Sequence, residues 1–75
     1  MKDRIIAIIA GVLKVDVAQV TLESGVGDIL NWDSLAQLTI LQTVQDEFEV
    51  EFEPEEMMDI ENVGDIVKTV EAKKV

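Results

Sequence analysis

The 75-residue chain contains no cysteine, no histidine and no tyrosine, and it carries one proline and three aromatic residues, Trp32, Phe48 and Phe52. Each absence removes a class of chemistry. Without cysteine there is no disulfide framework, no thiolate nucleophile and no thiolate-ligated zinc or iron–sulfur site. Without histidine the chain lacks both the side chain that most often acts as general base near neutral pH and the commonest metal ligand. Cations are scarce as well: six Lys and Arg stand against sixteen Asp and Glu, a net charge of −10. Phosphate backbones bind through Lys and Arg that release counterions, so nucleic acid is not an expected partner. An independent enzyme is not expected either.

What the chain does have is material for a core. Apolar residues make up 48% of it, and acidity combined with that apolar share does not produce disorder. The length allows one domain, spanning residues 1–75. With so few rings, its interior must be built from Ile, Val, Leu, Ala and Met. Domains of this size are marginal, because ordering costs about 1.5 kcal/mol per residue and burial barely exceeds it. An aliphatic interior of this kind is expected to deform comparatively easily.

The first thirteen residues have the length and flanks of a secretory leader, but their periodicity is that of an amphipathic helix. At about 100° per residue, Ile5, Ile6, Ile8, Ile9, Val12 and Leu13 fill one face, and Asp3, Arg4, Ala7, Gly11 and Lys14 the other. No small-x-small cleavage pattern follows, and no apolar run approaches the roughly 20 residues of a membrane span. A cytoplasmic location and no membrane span are expected.

From Val15 to Asp33 the helical period is lost, and Asp16, Thr21, Ser24, Gly25, Gly27, Asp28 and Asn31 supply turn chemistry. The scattered Val17, Val20, Leu22, Val26, Ile29 and Leu30 predict a loop pinned to the core, and Trp32 is expected to anchor its end. A long ordered loop in so small a domain points to function. A second helix is predicted from Asp33-Ser34 to about Phe48. Either residue can act as N-cap, and Ser34 with Gln37 forms a capping-box pattern. Phe48, Val50 and Phe52 then alternate with Glu49, Glu51 and Glu53; a lone strand has no partner, so this stretch reads as an extended connector. Pro54 opens a short helix to about Met58. Asn62 caps a last helix in which Val63, Ile66, Val67 and Val70 recur at i, i+3, i+4 and i+7, with Lys73 and Lys74 at its end. The expected fold is all-α: a small four-helix bundle of three main helices and one short one, with a long first loop.

Few positions can carry chemistry. Gly25-Val26-Gly27 has no preceding strand and no lysine, so it is not a phosphate-cradling loop. The segment Asp46–Glu61 holds nine carboxylates and no base, and its spacing does not match a calcium loop. It reads as a solvated surface or as a docking field for cationic partners. Glu55 and Glu56 are paired carboxylates without supporting groups. Of Met57 and Met58, one is expected in the core and the other outward. Ser34 has two uses. It can cap its helix, a role worth about 1 kcal/mol. It can also bear a phosphodiester, which the N–H groups and dipole at a helix N-terminus stabilise. A serine hydrolase is ruled out, because no His or Cys is present to activate the hydroxyl.

Asp33-Ser34-Leu35, opening the second helix near mid-chain, resembles the attachment tripeptide of acyl and peptidyl carrier proteins. The likeness extends through Leu13-Lys14-Val15-Asp16, Thr21, Ser24, Phe48-Glu49-Val50-Glu51-Phe52 and Val63-Gly64-Asp65-Ile66-Val67, essentially the whole chain. The resemblance implies that a phosphopantetheinyl transferase, using coenzyme A and Mg²⁺, attaches 4′-phosphopantetheine to Ser34 with the assistance of Asp33. It also implies partner or cargo contacts at Leu35, Leu38, Gln42, Asp46 and Glu47 of the second helix and at Met57 and Ile60 of the short one. Partners would be enzymes with basic patches that load and process acyl or aminoacyl groups. The protein itself would be a free-standing, monomeric carrier with no catalytic residue and no metal site.

Two features depart from the family pattern. Asn31-Trp32 precedes the tripeptide where Gly or another small residue is common. The exposed side of the second helix, with Ala36, Gln37, Thr39, Gln42, Thr43 and Gln45, lacks acids until Asp46. The second departure favours a dedicated carrier for a specialised pathway over a housekeeping fatty-acid carrier. The alternative from another class is an acidic helical adaptor that binds basic proteins without a prosthetic group.

Overall fold

The computed structural model describes residues 1–74. Among them are four α-helices: α1 (Lys2–Leu13), α2 (Ser34–Phe48), α3 (Pro54–Asp59) and α4 (Val63–Lys74). A 3₁₀ turn at Val17–Gln19 interrupts the long loop, a feature the sequence pattern did not indicate.

The two periodic helices bury the stripes their spacing predicts. In α1, Ile5, Ile9, Ala10 and Leu13 are buried, Ile6, Ile8 and Val12 flank them half-buried, and Ala7 and Gly11 face solvent. In α4, Val63, Ile66, Val67 and Val70 are buried. The Asn62 Oδ1 accepts the Asp65 N–H at 2.9 Å, which makes Asn62 the predicted cap. From α2 come Ile40, Leu41, Val44 and Phe48. The most deeply buried large side chains, Ile5, Ile9, Leu13, Ile40, Val44, Val63, Ile66 and Val70, are all aliphatic, as the scarcity of rings requires. Burial of each contributes about 1.5–3 kcal/mol. Trp32, Phe48 and Phe52 are buried too.

Helices α1 and α2 both end on a non-glycine residue in the left-handed region, Lys14 at φ 60° and Glu49 at φ 57°. That conformation costs roughly 1–2 kcal/mol for an L-residue. It is offset by backbone bonds from Val15 to Ala10 (3.0 Å) and from Val50 to Gln45 (3.1 Å), which satisfy carbonyls the helix ends leave open.

Between α2 and α3 no strand forms among the described residues, and the alternating segment is the extended connector expected. Phe52 is buried, Val50 half-buried, and Glu49, Glu51 and Glu53 exposed. Helix α3 runs one residue beyond Met58 and buries none of its own six residues. Half-buried Met57 and the following Ile60, which is buried, attach it to the bundle. Met58 points outward, so the two methionines divide as expected.

The loop is held differently from the sequence expectation. Val20 is buried and Val15 and Ile29 are half-buried, but Val17, Leu22, Val26 and Leu30 are exposed. Backbone bonds do the pinning in their place. The Val63 N–H donates to Ser24 O at 2.9 Å and the Gly64 N–H to Leu22 O at 2.8 Å. These are donors of the first turn of α4, which has no intrahelical acceptor for them. Buried Ser24 also accepts the Thr21 N–H on its hydroxyl at 3.1 Å. The seam is tight enough that a Cβ on Gly25 would lie 2.1 Å from the Glu61 carbonyl oxygen, so only glycine fits there.

Candidate functional site

The loop turns into α2 through a closed segment. The Gly27 N–H donates to Trp32 O at 2.9 Å and the Trp32 N–H to Ile29 O at 3.0 Å. Asn31 takes φ 77° within it. Asparagine is one of the few non-glycine residues that visit this region readily. Trp32 is 2% exposed and anchors the loop end, as expected.

The cap of α2 is Asp33, not Ser34. Asp33 has extended backbone (φ −111°, ψ −172°), and its Oδ1 accepts the Ala36 N–H at 2.9 Å. Ser34 is already the first helical residue, and a side chain inside the helix cannot cap it. The Ser34–Gln37 capping box therefore does not form. The Gln37 Oε1 accepts the Trp32 indole N–H at 2.7 Å. Ser34 is exposed, and its hydroxyl has no hydrogen-bond partner among the described residues. It stands at the N-terminus of a fifteen-residue helix, where first-turn N–H groups and the helix dipole favour a phosphate. The residues present thus fit a covalently attached phosphodiester.

The other predicted positions fall in two groups. Leu35 and Leu38 are 73% and 61% exposed, and Gln42 and Asp46 continue the same face at helical spacing. Glu47 is exposed but paired with Arg4, whose guanidinium also lies 5.3 Å from the Phe48 ring centroid. On α3 and its C-terminal end, Met57 is half-buried and Ile60 only 8% exposed, so a docking protein would meet Met58 first. Sequence reasoning also missed Leu30, which it placed against the core and which is 84% exposed. No periodicity in the loop could have told inward from outward.

Charge is distributed unevenly. Of the sixteen acidic residues only Asp3 and Glu71 lie outside residues 15–67, a span without Lys or Arg. The fold returns three cations to it, all at the far end from Ser34. Arg4 pairs with Glu47, Lys73 with Glu56 at 2.8 Å, and the Lys74 ammonium donates to Phe48 O at 3.2 Å. The Lys73 hydrogen bond, with the Glu53 N–H donating at 2.7 Å, holds the Glu56 carboxyl below the usual carboxylate range. No ion pair among the described residues involves Asp28 or Asp33.

The family described as "Phosphopantetheine attachment site" matches residues 3–70. The chain is 41% identical over 69 residues to the acyl carrier protein of Helicobacter pylori strain G27, covering 92% of this chain and 88% of that one. It is 39% identical to that of Helicobacter acinonychis over the same shares. It is 34% identical over 65 residues to that of Clostridium acetobutylicum, covering 87% of this chain and 84% of the relative. With an unbonded serine hydroxyl opening α2 and a match over nearly the whole chain, the protein belongs to the phosphopantetheine-attachment family of acyl carrier proteins.

Proposed function

We propose that the protein is a carrier and not a catalyst, that Ser34 is its attachment residue, and that a phosphopantetheinyl transferase modifies it from coenzyme A with Mg²⁺. The attached group supplies a thiol that holds acyl or aminoacyl cargo as a thioester. The chain's own residues do the rest. Asp33 fixes the start of α2 through one carboxylate oxygen and leaves the other free beside the serine to assist the modification. Trp32 and Gln37 hold the loop end, and the first turn of α2 stabilises the new phosphate charge. The single observation that carries this reading is the exposed Ser34 hydroxyl, left without a structural partner because Asp33 does the capping. The aliphatic interior supports transient sheltering of an acyl chain, which would appear as cargo-dependent shifts of core methyl resonances.

The test is intact mass after incubation with a broad-specificity transferase, Mg²⁺ and coenzyme A. Wild type gains one phosphopantetheine and Ser34→Ala gains none. No gain in wild type, with a control carrier modified in the same tube, overturns the reading.

We further propose a dedicated carrier for a specialised pathway. The support is the face of α2 between Ser34 and Gln45, which holds no carboxylate for the basic partners expected of fatty-acid carriers. Malonyl transfer to the modified protein by a standard fatty-acid malonyltransferase should be markedly slower than to a fatty-acid carrier; equal efficiency would remove this preference.

A further inference from the structure

Gln37 follows Ser34 by three positions on α2, so the two are neighbours on the helix surface, with Cβ atoms about 5–6 Å apart. Long side chains in a helix lean toward its N-terminus and cover the turn before their own Cα. That of Gln37 meets Trp32, a residue that precedes the cap. Its amide therefore lies over the turn that Ser34 opens.

The bond to Trp32 also decides which way round the amide sits. An indole nitrogen can only donate, so the atom facing it at 2.7 Å must be the carbonyl oxygen, Oε1. Nε2 is left with two N–H donors and has no acceptor among the described residues. Gln37 is half-buried, yet no unpartnered side-chain nitrogen or oxygen is sequestered there, so Nε2 is open to solvent. Gln45, at the other end of α2, differs. Its Oε1 accepts the Phe52 N–H at 2.8 Å and its Nε2 donates to Leu41 O at 3.2 Å, so both halves of that amide serve the fold. Only one half of the Gln37 amide does.

Donors are what this end of the molecule lacks. Residues 15–67 contain no Lys or Arg. Asp33 already occupies the N–H groups of Ala36, through Oδ1, and of Gln37, through its carbonyl oxygen, each at 2.9 Å. An anion on Ser34 gains from any further N–H aimed over the same turn, because hydrogen bonds to a charged acceptor are the stronger kind.

We infer that Gln37 is a phosphate ligand: its Nε2 donates to a non-ester oxygen of the phosphodiester attached at Ser34, while the Trp32 indole holds the amide in the donating orientation. Fixing the phosphate fixes the direction in which the arm leaves the helix. The inference rests on the reading of Ser34 as the attachment residue.

The probe is the full chain carrying phosphopantetheine on Ser34, compared with the unmodified chain by nitrogen–proton and phosphorus NMR. Of the side-chain amides of Gln19, Gln37, Gln42 and Gln45, that of Gln37 should shift most on modification. Gln37→Glu keeps an acceptor for the Trp32 indole, so the loop end stays tied, but it removes the donor. Leu38→Glu places the same charge one turn from Ser34 and leaves Gln37 intact. The phosphorus resonance should therefore move further in Gln37→Glu than in Leu38→Glu, and circular dichroism verifies that both variants are folded. A Gln37 amide that does not move on modification, or equal phosphorus shifts in the two variants, overturns the inference while wild type still gains its mass. No mass gain in wild type overturns the attachment reading and this inference with it.

Discussion

The two ends of α2 are built on opposite terms. At its C-terminal end three cations from α1 and α4 are engaged: Arg4 on Glu47, Lys74 on the Phe48 carbonyl, and Lys73 on nearby Glu56 of α3. At its N-terminal end no ion pair forms among the described residues, large apolar side chains face solvent, and the Ser34 hydroxyl is unbonded. The closed end is held by side chains of Arg4, Lys73 and Lys74. The open end is held by one buried indole, one aspartate cap and a backbone seam to α4, which leaves its surface free for partners. A carrier needs both properties, since the attachment residue must be accessible while its surroundings keep their geometry.

Four experiments would break or sharpen this contrast. If Trp32 is the anchor of the open end, Trp32→Ala should cost about 3–5 kcal/mol in denaturant unfolding; a loss no larger than that of a surface change would show that the loop end is held by something else. Gly25→Ala drives a Cβ against the Glu61 carbonyl oxygen and should cost about 1–3 kcal/mol, read in the same way. A variant as stable as wild type would mean that the loop–α4 seam gives way freely. Smaller effects separate neighbours. Asp33→Ala should lose about 1 kcal/mol of cap energy, and Ser34→Ala should stay within about 0.5 kcal/mol of wild type. Equal losses in thermal melts would return Ser34 to the cap.

The smallest effect tests the closed end. The carboxyl of Glu56 is held low by Lys73 and the Glu53 N–H, so the unfolded chain binds its proton more readily than the folded one. Its stabilising contribution is therefore present above the ordinary carboxylate range and disappears as pH falls through the lower folded-state value. The stability difference between wild type and Glu56→Gln should follow that course and should shrink in a Lys73→Met background, where the Glu53 N–H bond remains. Because the pair is partly exposed the effect is modest. A difference that grows toward acid would contradict the assignment.

How far the sequence was legible depended on whether the signal was local. The buried stripes of α1 and α4 and the Asn62 cap follow from spacing of three and four residues, and each occurs where expected. At Asp33-Ser34 the local signal was ambiguous, since both side chains are good caps. The choice was made by the backbone, which keeps Asp33 extended and Ser34 helical. In the loop, composition predicted burial for Val17, Leu22, Val26 and Leu30, and the fold leaves all four exposed. A segment without period has no face, so the identity of its apolar residues says nothing about which way they point.

By itself the sequence determined that the chain is helical, acidic, aliphatic in its core and without cysteine or histidine, because composition and short-range period are properties of neighbours along the chain. It also placed Ser34 at the start of a helix. Only the tertiary structure decided that this hydroxyl is free of a capping role, that loop and helix share one apolar end, and that Arg4, Lys73 and Lys74 return to the acidic segment. The return of the cations rests on Arg4–Glu47, Lys73–Glu56 and Lys74–Phe48, contacts between residues far apart in sequence. Such contacts form only once burial of the aliphatic stripes has brought the helices together.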